Sequence, residues 1–375
     1  MWKGEYMTAA YLLLPALIWV PFGIYLYHII VRFLSLFHIR EKTAVSRILS
    51  LAVTLFCVSR GWMLYGLGAV VLFHFLAFSA GMEIVWQIGR RKIQKEKTKR
   101  RLQFVCKSSI VSLLLLAIVF AYGFYNIKDV RRTHYSVEAG EKEADGFRIV
   151  QISDLHMGTT MGTEELKTYC RQIEKEKPDL LALTGDIFDE STARSEMQEA
   201  ARLLGGIQTT YGTYYIFGNH DYNLYTQTPY YTRDELKDTL EKEGIRVLED
   251  EVTKAADWLT VIGRTDASLD RAEISSLMDQ ADSDSFILLL DHQPEDLDEN
   301  KAAGVNLQLS GHTHAGQIWP TGQLGSLFGV TELNYGYRED GAYHVIVSSG
   351  IGGWGYAIRT GGHSEYVVID VNSET

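Results

Sequence analysis

The chain has 375 residues and a mass of 42.4 kDa, more than one compact core normally organises, and its formal net charge of −11 conceals a division. Residues 1–132 carry 18 basic and 5 acidic side chains, whereas residues 133–375 carry 18 and 42. A basic, apolar front joined to an acidic back excludes one homogeneous soluble domain, and the shortage of Lys and Arg in the back half argues against a nucleic-acid partner there.

Residues 8–31, TAAYLLLPALIWVPFGIYLYHIIV, contain no Asp, Glu, Lys or Arg and have the length needed to cross a hydrocarbon layer. Residues 62–82 and 108–125 read the same way. The segment 44–59, AVSRILSLAVTLFCVS, is shorter and contains Arg47, so it is either a further span or an interfacial or re-entrant helix. Between the third and fourth segments, RRKIQKEKTKRR at 90–101 carries eight basic residues, which the positive-inside rule places in the cytoplasm. Arg32, Arg40, Lys42 and Arg47 fall on the same side if 44–59 spans. The expectation is a multi-pass region over 1–126, a charged linker over 127–145, and an extracytoplasmic domain over 146–375. Cys57, Cys106 and Cys170 form no CxxC pair and no disulfide framework, so the redox compartment stays open.

From about residue 145 short apolar runs alternate with amphipathic stretches. Strands are expected at 147–152, 180–183, 214–217, 286–290, 307–309 and 344–347, and helices at 165–176, capped by Thr163, at 195–204 and at 234–243. The alternation defines an α/β domain. Five of these strands run straight into residues of metal-ligand type: Asp154 and His156, Gly185-Asp186, Gly218-Asn219-His220-Asp221, Asp291-His292, and Gly311-His312-Thr313-His314. Ligands at the carboxyl ends of strands sit on rigid supports around one crevice. A set of His, Asp and Asn without Cys suits Mn, Fe or Zn. The glycines at 185, 218 and 311 permit close backbone approach. His134, His344 and His363 lie outside the pattern and read as surface or core residues. Each element alone is weak, since a Gly-Asp after a strand is usually a turn. Five in series are not explained that way.

These five blocks resemble those of the calcineurin-like metallophosphoesterases over roughly 147–370. DHQP at 291–294, LQLSGHTHAGQI at 307–318 and SSGIGGWGYAIR at 348–359 resemble the bacterial membrane-associated branch. The resemblance implies a two-sheet sandwich flanked by helices, with two divalent metal ions at one edge. By position, Asp154, His156 and His314 would hold the first ion, Asn219, His292 and His312 the second, and Asp186 would bridge both. His220 would contact a phosphate oxygen or protonate the leaving group, oriented by Asp221. Two ions about 3.5–4 Å apart acidify water, neutralise phosphoryl oxygens and set up in-line attack. The substrate class is a phosphoester or pyrophosphate, with lipid- and nucleotide-linked examples in that branch.

Substrate choice is expected to lie in loops 157–163 and 222–232. Trp354 and Arg359 are candidates for the pocket rim, with Arg359 on a substrate phosphate or else in a structural salt bridge. The competing function is a membrane sensor or transporter with an accessory, degenerate domain. His28 and His74 are the main ionisable groups in the clear apolar segments, a poor endowment for transport, and no ligand of the five blocks is missing.

Overall fold

The structure, a computed structural model, describes residues 2–35, 43–64, 66–139, 144–282 and 284–373. The chain divides into two units, Met1–Tyr122 and Gly123–Thr375. The first unit is helical: α1 (Trp2–Ser35), α2 (Ala44–Arg60), α3 (Leu67–Lys92), α4 (Glu96–Lys107) and most of α5 (Ile110–Asn126). Pro15–Ser35 of α1 and the whole of α3 are long and apolar enough to cross a membrane. α4 and α5 meet at a 46° bend and make a third crossing only if the bent pair is one span. With 17 residues, α2 is shorter than the roughly 20 needed. Against the expected three or four spans, the described residues hold two such helices, or three with the bent pair.

Two boundaries move for physical reasons. Gly61 begins the turn that ends α2, so the helix expected at 62–82 starts at Leu67 and runs on through Arg90, Arg91 and Lys92. Cations in a last helical turn complement the exposed carbonyls, so the basic segment extends the helix instead of ending it. The rest of that segment opens α4 after a break at 93–95. Within the unit, Trp19 stacks on Phe73 with ring centroids 5.0 Å apart, and Arg32 pairs with Glu83. Arg40 and Lys42 lie outside the described residues.

The second unit contains two six-stranded sheets. One has the order β1 (Arg131–Ala139), β12 (Glu365–Ser373), β2 (Phe147–Ile152), β3 (Leu180–Thr184), β4 (Thr213–Ile216), β5 (Ile245–Val247). The other has the order β10 (Gly336–Asp340), β11 (Tyr343–Val347), β9 (Leu307–Ser310), β8 (Phe286–Leu290), β7 (Leu259–Gly263), β6 (Glu251–Ala256). Ile149, Leu180, Ala182 and Ile216 of the first sheet share one core with Val261, Phe286, Leu288, Leu290 and Leu309 of the second. Alternate residues of the first sheet, such as Val150, Ile152, Leu181 and Leu183, join a separate core. That core also takes the inner faces of α6 (Thr163–Glu176), α7 (Arg194–Gly205) and α8 (Arg233–Lys242). Strands apolar on both faces are what a sheet covered on both sides requires.

The segment expected as a linker is largely strand. β1 pairs in parallel with β12 from Arg131↔Glu365 to Ala139↔Ser373, while residues 140–143 of that segment lie outside the described residues. Its charges alternate as an edge strand's do: Arg132, His134, Ser136 and Glu138 are exposed, whereas Val137 is buried and Tyr135 half-buried. Thr163 is the first residue of α6 and not its cap. Gly162 is the cap, and its N–H donates to the Glu165 carboxylate at 3.0 Å.

Candidate metal centre

β2, β3 and β4 are parallel neighbours in one sheet, and β8 and β9 in the other, so the residues following all five emerge at the same end. The sheets are tied together there. Gln151 Nε2 donates to Thr184 Oγ1 and to the Ser310 carbonyl, both at 2.9 Å. The His312 N–H donates to Asp154 Oδ1 at 3.0 Å. A Cβ on Gly218 would fall 2.3 Å from Asp186 Oδ1, and one on Gly311 would fall 2.3 Å from Asp154 Oδ2. The backbone can come that close only where no side chain intervenes.

The ligand atoms gather in two groups, Asp154, His156 and His314, and Asp186, His292 and His312, each with its atoms within 4.8 Å of one another. In the first, His156 Nε2 is 3.3 Å from His314 Nε2, and His314 Nε2 is 3.5 Å from Asp154 Oδ1. In the second, His292 Nε2 is 3.2 Å from Asp186 Oδ2. That same Asp186 oxygen lies 3.9 Å from His156 Nε2, so Asp186 stands between the groups. Asn219 is buried beside them, and its Oδ1 has no hydrogen-bond partner among the described residues. Two imidazole nitrogens facing each other, with an orphaned amide oxygen nearby, suit a divalent cation better than a hydrogen-bond network.

At His312, His314 and Asp186 electrostatics favour the same use. Burial alone would lower His292, but the Asp186 carboxylate outweighs it and raises the group, so a cation there displaces a proton. Burial, with the His292 charge adding to it, pushes His312 down to about 4, and burial holds His314 well below its ordinary value. Both are therefore neutral imidazoles with a lone pair to offer. Burial alone would raise Asp186, but His292 and His156 outweigh it and keep the carboxylate ionised. His292 Nδ1 lies 2.8 Å from the Thr184 carbonyl, which fixes the tautomer that leaves Nε2 turned to Asp186.

Two of the expected roles are corrected. Asp221 does not touch His220. It accepts from the N–H groups of Asp186 (2.6 Å), Gly218 (2.8 Å) and Phe188 (2.9 Å) and from the Tyr215 hydroxyl (2.7 Å). It clasps the two ligand-bearing turns together. Its carboxyl, buried and beside the Asp186 charge, is pushed up to about 7. Arg359 is fully buried and donates to the carbonyls of His314, Ser349 and Gly352 at 2.7–2.9 Å. It forms no salt bridge among the described residues, and its burial against three carbonyls makes it a prop of the loop behind the site. The partner of His220 is Glu190, whose carboxylate lies 3.0 Å from His220 Nδ1. Burial alone would lower His220, but the Glu190 hydrogen bond and the charges of Asp186, Glu190 and Asp189 raise it.

Asp189 and Glu190 escape sequence reasoning because an acidic pair three residues past Asp186 looks like an ordinary turn. Asp189 Oδ2 lies 3.3 Å from His156 Nδ1, which gives that ligand its outer support. The Trp354 ring is 5.8 Å from His220, and the ring of Tyr225, in loop 222–232, is 4.9 Å from it.

A family model for calcineurin-like phosphoesterases matches residues 147–316. A Bacillus subtilis protein named as the uncharacterized metallophosphoesterase YkuE is 32% identical over 218 residues, 56% of this chain and 73% of its own length. A second from that organism, the uncharacterized metallophosphoesterase YkoQ, is 30% identical over 272 residues, 68% of this chain and 97% of its length. The zebrafish (Danio rerio) "transmembrane protein with metallophosphoesterase domain" is 27% identical over 279 residues, covering 69% of this chain but only 61% of that protein. The chain belongs to the calcineurin-like phosphoesterases.

Proposed function

We propose that the protein is a membrane-anchored hydrolase that uses a pair of divalent ions to cleave a phosphoester or pyrophosphate bond. The observation that carries this reading is the position of Asp186 between two three-residue ligand groups, 3.9 Å from His156 and 3.2 Å from His292. Asp154, His156 and His314 would hold one ion, Asn219, His292 and His312 the other, and the Asp186 carboxylate would be shared. Divalent ions there supply Lewis-acid polarisation of the phosphoryl group and acidification of water. The chain's own residues do the rest. His220, half-enclosed by Tyr225 and Trp354 and held by Glu190, is placed to donate a proton to the departing oxygen. Asp221 fixes the turns that carry Asp186 and Asn219. With α4 and α5 crossing together as one span, the eight basic residues at 90–101 put the catalytic unit outside the cytoplasm.

The test is chelation of the full chain followed by return of Mn, Zn or Mg, with a diester, a monoester and a pyrophosphate as substrates. Turnover should vanish on stripping and return with metal. Full turnover in a sample shown to be metal-free would overturn the reading.

A further inference from the structure

Residues 317–330, QIWPTGQLGSLFGV, contain no charged residue, although the unit around them is strongly acidic. The stretch forms the short helix α11 (Thr321–Leu327) and its flanks, and it turns large apolar groups outward. Leu327, Phe328 and Val330 are each 74% exposed and Trp319 is 56% exposed. Monomeric soluble surfaces rarely leave four such residues together without a partner. We propose that residues 319–330 are a bilayer-docking surface, seated at the lipid–water boundary beside the metal centre. The proposal rests on the reading of the chain as membrane-associated, and not on its activity.

Two observations in the second unit choose a lipid surface over other occupants. The first is continuity. The Trp319 N–H donates to the Thr360 hydroxyl at 3.0 Å, and the N–H groups of Thr360 and Gly361 donate to the Gln317 carbonyl at 2.9 Å. The same loop receives the last turn of α5. The Arg359 N–H donates to the Gly123 carbonyl at 3.1 Å, and Asn126 Nδ2 donates to the carbonyls of Arg359 (3.1 Å) and Gly362 (2.9 Å). A Cβ on Gly123 would fall 2.8 Å from Ile358. The exposed apolar stretch is therefore rooted on the peptide that grips the chain where it leaves an uncharged helical run, IVSLLLLAIVFAY at 110–122. The second observation is charge. An acidic unit is repelled by an anionic leaflet, and an uncharged, Trp-bearing protrusion is the part that can enter it. Its other root touches the site: Gly322 packs on the Ala315 carbonyl, one residue past His314.

The experiment places an environment-sensitive fluorophore on Phe328→Cys, or separately on Val330→Cys, in the full chain reconstituted in nanodiscs with and without nitroxide-labelled phosphatidylcholine. The parent chain, taken through the same labelling, supplies the background from Cys57, Cys106 and Cys170. The control label goes on Asp257→Cys, which is exposed in the turn before β7, at the opposite end of the strands from the metal centre. An apolar segment lying about 5–10 Å into the headgroup boundary should lose roughly half or more of its fluorescence to the nitroxide, and the control under about a tenth. The quenching should persist after chelation, so a failure of the hydrolase reading leaves it intact. Equal, weak quenching at 328, 330 and 257 would overturn the proposal. So would labels shielded from water but untouched by the nitroxide in a particle holding two chains, which would assign the stretch to a second copy.

Discussion

Asp154, His156, Asp186, His312 and His314 all hold positive φ, between 44° and 68°, a region that side chains of this size enter at a cost. Strain repeated at five neighbouring ligands is sustained by the hydrogen bonds around them, the Asp221 clasp above all, and it aims the side chains at common points. Asp186 belongs to one group and stands 3.9 Å from His156 of the other, the position of the proposed bridge. Asp186→Asn should reduce the metal content of both positions and abolish turnover, whereas His292→Ala should leave the Asp154 group able to hold one ion. Metal analysis of the purified variants decides this, and two ions retained in Asp186→Asn would place the bridge elsewhere. The His220–Glu190 pair gives a prediction in pH. Glu190 raises the His220 pKa, so the protonated imidazole persists to higher pH than it otherwise would. Glu190→Gln should therefore move the alkaline limb of kcat to lower pH for poor leaving groups. It should leave the limb in place for p-nitrophenol esters, which need no proton.

At the scale of elements, β12 joins β1 to the rest of its sheet, and Glu365 is the polar pin at its start. Its carboxylate accepts from the Ser349 N–H at 2.9 Å, the Tyr335 hydroxyl at 3.1 Å and the Thr133 hydroxyl, and it lies 3.1 Å from His363 Nε2. Burial alone would raise its pKa, but the bonds from His363, Ser349 and Thr133 outweigh it and lower the group. A depressed carboxylate stabilises the fold above its unfolded pKa of roughly 4.3, and that contribution is lost as pH falls through the folded value. The Tm gap between the parent and Glu365→Gln should accordingly be full near neutrality and close below about pH 4. A gap that is constant with pH would remove the ionised form from the account. The strands legible in the sequence are runs apolar on both faces, such as Phe286–Leu290, although β7 and β12, also largely buried, were missed. The edge strands β1, β6 and β10 were not legible, since half their residues face water and read as linker or loop. The site was legible for a related reason: ligands that follow buried strands inherit their positions. Glu190 and the true role of Asp221 were not, because both depend on which turns meet in space.

For the whole molecule, the charge division sets the sidedness. Moving a loop with eight basic residues across an energised membrane is strongly disfavoured, so the proposed orientation keeps 90–101 inside and requires the bent pair of α4 and α5 to make the outward crossing. Protease added to intact cells should degrade residues beyond about 133 and spare 90–101, and the reverse pattern would overturn the orientation. The parallel pairing of β1 with β12 also has a mechanical meaning. The chain enters its sheet at Arg131, and nine residue pairs stand abreast from there to Ala139. A tug applied to the chain ahead of that strand loads all nine rungs in shear at once and does not peel them open singly. Ahead of the ladder, the bonds of Gly123 and Asn126 to Arg359 and Gly362 take the load first, and the ladder is the second stop behind them.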